Sequence, residues 1–441
     1  MNAIRHHEEI RFFLNEVCTY IKAREVHKEV KMELENHLED LIQEKLDCGT
    51  DIDDAIRESI SQMGSPEIIG LQFHKVHRPH FDWKLFSLLS VFVVLGLFAV
   101  YAAQASLTAR VGFASIGVRQ IVYVCIGMVL MLILSFTDYR KWAKYSWMLY
   151  IGTIVIMLYS LNTGSTVNGA KGHIQIYGTI GVNIVSLSPY LLLIALAGIW
   201  SQQRETLKTE TLIQKYTRVI CKNIATVWLP SVLLLAAPSI TDFVLFFIGS
   251  LVMLLVLKKH RVILLSHFFI FPISLFIFIL SQLSYRMGRL KAFFLPDNQL
   301  NYMIIQSKKA IVSAGWWGQG FGTPLKSLPN LHDEMMFSFL IYCFGWAVGI
   351  FIFMAVILFI FRALSICTNV KEQYGKALVS SLLALFSIQF MWNMMMTLGW
   401  APLGSFTLPF ISYNGALVII HFAAIGVILN VYRQKDLIFV R

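Results

Sequence analysis

Residues 83–104 read WKLFSLLSVFVVLGLFAVYAAQ, with one lysine at the edge and then twenty residues free of charge. At about 1.5 Å of rise per residue, such a run covers the roughly 30 Å hydrocarbon core of a bilayer, where a helix satisfies its own backbone. Comparable runs recur at 117–136, 145–161, 186–200, 219–236, 240–257, 262–281, 336–361, 378–398 and 411–431. The pattern predicts an all-α polytopic membrane protein with ten transmembrane helices. The third run is short and the fifth contains Lys222, Asn223 and Pro230, so these two are the least regular. Composition agrees: of 441 residues, 56% are hydrophobic and 14% charged, with a mean hydropathy of +0.64, against about 25% charged residues in soluble domains. A soluble enzyme is excluded.

The first 80 residues are of another kind. They hold 16 of the 26 acids and 10 of the 37 bases, a net −6, which leaves +17 on the rest of a chain whose total is +11. The basic pI of about 9.3 does not point to nucleic acid, because the bases sit in short loops between apolar runs and not on one polar face. Val30, Leu34, Leu38, Leu41 and Leu46 recur at helical spacing among Glu and Lys, the mark of an amphipathic helix. Gly49 and Gly64 are placed to end helices, Thr50 with Asp53 resembles a capping pair, and Ser65-Pro66 reads as an N-cap followed by proline at the first helical position. Residues 1–80 therefore predict a small cytoplasmic helical bundle, with no secretory signal ahead of it, and residues 81–441 the membrane domain. Cys18, Cys48, Cys125, Cys221, Cys343 and Cys367 lie in cytoplasmic or apolar stretches without a CxxC pair, so neither disulfides nor a zinc or iron–sulfur site is expected.

With the N-terminus inside, the cytoplasmic loops carry Arg140, Lys141 and Lys144; Arg204, Lys208, Lys215 and Arg218; Lys258, Lys259 and Arg261; Arg362, Lys371 and Lys376; and Arg433, Lys435 and Arg441. The short outer loops carry little beyond Arg110 and Lys171. The positive-inside rule then puts both termini in the cytoplasm and the chain in the cytoplasmic membrane. One outer segment, about 282–335, is far longer than the others, and long loops on a rigid scaffold tend to be functional. It gathers Arg286, Arg289, Lys291, Asp297, Lys308, Lys309, Lys326, Asp333 and Glu334. Among the acids after residue 80, only Asp242, Asp297, Asp333 and Glu334 are placed for chemistry at the outer face or within the membrane.

A cationic outer loop with few carboxylates suits a lipid-linked anionic substrate such as a polyprenyl diphosphate sugar, whose diphosphate the cations would hold. Diphosphate leaves without a protonated carboxyl, so glycosyl transfer needs one carboxylate to take a proton from the acceptor hydroxyl. A retaining glycosidase would need two carboxyls facing each other across a bond, which Asp333 and Glu334, adjacent in sequence, do not naturally provide. The bland alternative is a set of solvated loop charges and snorkelling lysines.

From Arg119 to the C-terminus the sequence resembles the SEDS proteins, the RodA, FtsW and SpoVE group. The resemblance rests on Arg119-Gln120, Asp138-Tyr139-Arg140, Asn168-Gly169-Ala170-Lys171, YRMGRLKAFFLPDNQLNYMIIQSKKAIVSAGWWGQGFG at 285–322, Leu328-Pro329-Asn330-Leu331-His332, and PLGSFTLPFISYNG at 402–415. It implies a ten-span membrane protein that polymerises the lipid-linked disaccharide-pentapeptide precursor of peptidoglycan (lipid II) in cell shape, division or sporulation. It also implies a single-span class B penicillin-binding transpeptidase as partner. Residues 1–80 resemble the helical prefix domain ahead of some Gram-positive permeases, which implies protein contact or regulation.

The departures from the family pattern are specific. His-Thr-Asp, whose aspartate is the family's catalytic carboxylate, stands here as His332-Asp333-Glu334; Glu334 takes the aspartate's place and Asp333 the threonine's. The following Glu-Glu-Leu-Gly is Tyr342-Cys343-Phe344-Gly345, the Gln-Pro-Ser-Glu of the fourth span is Leu187-Ser188-Pro189-Tyr190, and the lysine three residues on is Leu193. Glu334 matches the general base by position and Asp333 by residue type. Arg286, Arg289, Lys308, Lys309, His332 and Lys171, with Arg119, are candidate substrate contacts. Ser412 lies in Ser412-Tyr413-Asn414-Gly415, a segment read as a broken helix facing the substrate groove. Asp242 marks a polar cavity, and Trp316-Trp317 reads as an interfacial anchor. A divalent cation such as Mg²⁺ can share the diphosphate charge. Polymerisation, flipping of the same lipid, and a non-catalytic scaffold for wall-synthesis partners remain as readings.

Overall fold

The computed structural model describes residues 7–22, 27–76, 81–107, 116–167, 170–177, 180–202, 212–258, 264–269, 272, 276 and 302–435. Arg110, Arg204, Lys208, Lys259, Arg261, Arg286, Arg289, Lys291, Asp297 and Arg441 lie outside the described residues, as does most of the 262–281 run. The chain divides into two compact units, Met1–Phe81 with Tyr432–Arg441, and Asp82–Val431.

Helices Glu8–Thr19, His27–Asp47, Ile52–Met63 and Pro66–Val76 build the first unit. Its core is Ile10, Phe13, Leu14, Val17, Val30, Leu34, Leu38, Ile42 and Ile56, the i, i+4 stripe that the charged remainder leaves available. Ile42 takes the place expected of Leu41, which is only half-buried. Gly49 and Gly64 sit at φ +88° and +95°, a region glycine enters without a Cβ penalty. The N-cap of Ile52–Met63 is Asp51, so the Thr50–Asp53 capping pair does not form.

Among the described residues seven helices are long and apolar enough to cross a membrane: Trp83–Leu107, Ile116–Phe136, Tyr139–Thr163, Ile184–Ser201, Met336–Asn369, Gln373–Thr397 and Ala416–Arg433. Ile220–Ala236 and Ile240–Val256 are shorter apolar helices. Within the former, Ile224–Trp228 is a π-helical turn just ahead of Pro230, where the missing proline N–H disturbs the regular ladder. Phe92, Phe359, Phe386 and Phe390 interlock between the first helix and the two that follow the outer segment. At the start of Trp83–Leu107, the buried Asp82 accepts from Arg362 Nε at 2.9 Å and Nη2 at 2.8 Å.

The all-helical expectation needs one correction. Ser165–Val167, Ala170–Tyr177 and Ile180–Asn183 form a three-stranded antiparallel sheet in the order β1-β2-β3. The alternation of His173, Gln175 and Tyr177 with Ile174 and Ile176, between Asn168-Gly169 and Tyr177-Gly178, is a period-2 hairpin signal that a membrane-span reading passes over.

The described part of the 282–335 segment is also more than a loop. Tyr302–Ser313 is a helix, fixed where Ser307 Oγ meets Ser338 Oγ at 2.6 Å and donates to the Thr397 carbonyl at 2.6 Å. Met336–Asn369 kinks at Gly345, φ +82°. The kink frees backbone groups that the preceding turns satisfy: Gln319 N–H donates to Tyr342 O, Gly320 N–H to Cys343 O, and Trp346 N–H to Gly315 O.

Candidate active site

Five helices begin around one cavity of about 410 Å³. Its lining includes Arg119 from Ile116–Phe136, Ser186 from Ile184–Ser201, Asp242 from Ile240–Val256, Glu334 just ahead of Met336–Asn369, and Ala416 from Ala416–Arg433. Helix N-termini carry unpaired N–H groups and positive partial charge, so their convergence favours anions. Into this field the sequence places three carboxyls, Asp242, Asp333 and Glu334. They are three of the four acids singled out by position in the sequence; the fourth, Asp297, lies outside the described residues.

The two adjacent acids are presented by a short turn. Asn330, at φ +49°, accepts the Asp333 and Met335 N–H groups on its carbonyl, each at 3.1 Å, and its Nδ2 donates to Glu334 Oε2 at 3.4 Å. The 398–415 segment pins the same turn from the other side. Tyr413 N–H donates to His332 O at 2.9 Å, and Ser412 Oγ to Asp333 O at 2.8 Å. From the helix Gln373–Thr397, Asn393 Nδ2 donates both to Glu334 O at 2.8 Å and to Phe406 O at 2.7 Å. Ser412 thus acts on the site through the backbone of Asp333. Gly96 lets the first helix reach this segment, since a Cβ there would stand 2.1 Å from Phe410 O.

Electrostatics separate the members of the site. Glu334 is buried, 8% exposed. Burial, reinforced by the charge of Glu334, pushes the Asp333 carboxyl well above the ordinary carboxylate range, and two neighbouring carboxyls resist ionising together. Burial also lowers the imidazoles of His332 and His173, which therefore stay neutral at pH 7. Asp242 accepts from Ser239 Oγ at 2.5 Å and Ser186 Oγ at 3.1 Å. The Arg119 guanidinium acts on the Tyr413 hydroxyl in the direction opposite to burial, and Arg119 is the one Arg or Lys among the described residues lining the cavity.

His332, Asp333, Glu334, Asp242 and Arg119 are brought together. Lys308 and Lys309 are exposed on Tyr302–Ser313, and Lys171 is exposed on β2; none of the three lines the cavity. Arg286 and Arg289 lie outside the described residues. Trp316 and Trp317 are 67% and 87% exposed. Gln389, Asn393 and Asn330 are additions to the sequence reading. Gln389 and Asn393, polar residues four apart in an apolar helix, carried the available signal, because such residues face a polar interior. Gln389 also accepts the Tyr190 hydroxyl at 3.0 Å.

The model of the cell cycle protein family FtsW/RodA/SpoVE matches residues 82–437. The chain belongs to this family. It is 24% identical over 436 aligned residues to the peptidoglycan glycosyltransferase RodA of Treponema pallidum, covering 80% of this chain and 98% of that protein. To stage V sporulation protein E of Bacillus subtilis it is 23% identical, covering 80% and 96%. A chain from a solved peptidoglycan synthase complex, described as coordinating polymerization and crosslinking, superposes with a TM-score of 0.64 at 21% identity, covering 80% of this chain and 98% of that one.

Proposed function

We propose that the chain is a peptidoglycan glycosyltransferase whose chemistry takes place in the cavity around Glu334. The observation that carries this reading is Glu334, buried at a cavity where helix N-termini converge; the ungapped register that sets it in the place of the family's catalytic aspartate supports the assignment. A multi-pass protein of this family presents that cavity to lipid-linked disaccharide-pentapeptide at the outer face of the cytoplasmic membrane. Ten spans with both termini cytoplasmic fit the arrangement. Five helices start at the cavity, and basic residues such as Arg140, Lys141 and Lys144 follow the far end of one of them.

In the proposed step, Glu334 carboxylate accepts the proton of the acceptor sugar hydroxyl. That oxygen forms a bond to the donor's anomeric carbon, and the bond to diphosphate breaks with its electron pair on the leaving oxygen. Arg119 and the converging helix N-termini offset the charge of the diphosphate. Among the described residues no three His, Cys, Asp or Glu side chains converge as a metal site; Mg²⁺ bound with the substrate would offset the diphosphate charge as a counter-ion. A single-span class B transpeptidase is the proposed partner, supported by the origin of the structural neighbour in a synthase complex. The helical unit at the N-terminus is assigned to protein contact or regulation.

The test is glycan chain formation from purified lipid-linked precursor. Glu334→Gln keeps the shape and removes the base, so the rate should fall by about 10²–10⁴. A Gln variant that polymerises at the wild-type rate would overturn the assignment.

A further inference from the structure

Asp333 is half-buried beside Glu334, with its polar atoms unequally served. Its N–H donates to Asn330 O and its carbonyl accepts from Ser412 Oγ, yet its carboxyl oxygen Oδ1 is buried without a hydrogen-bond partner. The residue lines the cavity. An orphaned buried polar atom costs about 1–3 kcal/mol, and a hydrogen-bonding group of a ligand in the cavity would relieve it. The charge of the site restricts what that ligand contact is. Glu334 holds the donor Asn330, Asp242 holds two serine hydroxyls, and Arg119 is the one cation of the described lining. A third carboxylate anion would repel both Glu334 and an incoming diphosphate.

We propose that Asp333 binds the acceptor sugar as a neutral carboxyl, donating its O–H to a hydroxyl or amide oxygen of that sugar beside the hydroxyl that Glu334 deprotonates. The inference deepens the polymerase reading and rests on it for the identity of the sugar. A neutral carboxyl offers a hydrogen-bond donor that a carboxylate lacks, and so does the threonine whose place Asp333 takes. The upward displacement of the Asp333 pKa by burial and by Glu334 has the sign this role requires. The charged and titratable groups facing it are Glu334 and His332 on its own turn, Asp242, Arg119 with Tyr123, His173, and Tyr413. Burial lowers His332 and His173 and raises Tyr413, and comparison of wild type with Asp333→Asn assigns an alkaline loss of binding to Asp333 or to another group of the lining.

The test measures both binding of the purified full-length protein to lipid-linked disaccharide-pentapeptide and polymerisation, across about pH 6–9. Wild type should bind more weakly as pH rises. Asp333→Ala should weaken neutral-pH binding by about fivefold to tenfold, and Asp333→Asn, which keeps a neutral donor, should recover most of that loss and flatten the alkaline fall. Infrared difference spectra should show a carboxylic-acid C=O band in wild type that Asp333→Asn removes, a readout independent of activity. Asp333→Ala binding as wild type does, or an alkaline fall that persists in Asp333→Asn, would overturn the inference. If Asp333→Asn lost polymerisation as fully as Glu334→Gln, Asp333 would be an ionised base. Absence of polymer from wild type, with the pH-dependent binding intact, would sink the polymerase reading and leave the role of Asp333 standing.

Discussion

The carboxyl pair at 333 and 334 sets opposite demands on its two members. Because the folded-state pKa of Asp333 is raised, its contribution to stability is full at pH below the ordinary carboxylate value and is lost as pH rises through the folded value. Asp333→Asn should therefore match wild type in thermal unfolding at acid pH and exceed it at neutral and alkaline pH. Between the ordinary and the folded value the gap should widen by about 1.4 kcal/mol for every step of one in pH. Equal unfolding temperatures for the two at alkaline pH would show that Asp333 is not held neutral. Glu334 carries the reach of the site. Glu334→Asp shortens it by one methylene to the family's usual length, so polymerisation should be retained or raised, while a loss comparable to Glu334→Gln would mean that the pocket has adapted to glutamate. Ser412→Ala removes the donor to Asp333 O and leaves both carboxyls, so the polymerisation rate should fall several-fold, given that a misplacement of about 1 Å can cost roughly 100-fold. An unchanged rate would relieve Ser412 of its positioning role.

Helix kinks and half-broken segments account for most of what the apolar pattern did not convey. A run of hydropathy gives the existence of Met336–Asn369 but not its kink, which depends on Gly345 at φ +82° and on loop groups fitted to the freed carbonyls. A Cβ at Gly345 would meet Trp316 O at 2.1 Å. Gly345→Ala should consequently lower the unfolding temperature and folded yield, with about 1–3 kcal/mol lost to a backbone conformation that is essentially glycine's alone and more to the clash; a variant as stable as wild type would contradict the kink. The β-sheet at 165–183 was missed because its alternation is short and lies between two spans. The 402–415 segment, by contrast, was legible as an interruption, since Pro402, Gly404 and Pro409 break any helix. The replacements in the fourth span also become intelligible in three dimensions. Tyr190 pairs with Gln389 and Leu193 is fully buried, so a position that holds a carboxylate in the family carries a hydroxyl paired with an amide, and its lysine neighbour an apolar side chain.

For the molecule as a whole, composition and the recurring apolar runs made the membrane class readable. The convergence of five helix starts on one cavity was not readable, because it arises from packing between segments as far apart as Arg119 and Ala416. The cations illustrate the limit: proximity in sequence to the long outer segment singled out Lys308 and Lys309, whereas the cavity takes Arg119, 200 or more residues from the carboxyl pair. Orientation is testable in intact cells, where cysteine at 298 should be labelled from outside and cysteine at 368 should not; the reverse pattern would invert the topology. The central claim is that this chain, without other glycosyltransferases, joins lipid-linked disaccharides. The direct measurement is the product formed when the purified protein, reconstituted in vesicles with a candidate class B transpeptidase, receives labelled lipid-linked disaccharide-pentapeptide. Wild type should yield glycan chains many disaccharides long and Glu334→Gln none, whereas unconsumed precursor with wild type, under conditions where the same assay reports polymer from another family member, would contradict the account and leave the chain a scaffold.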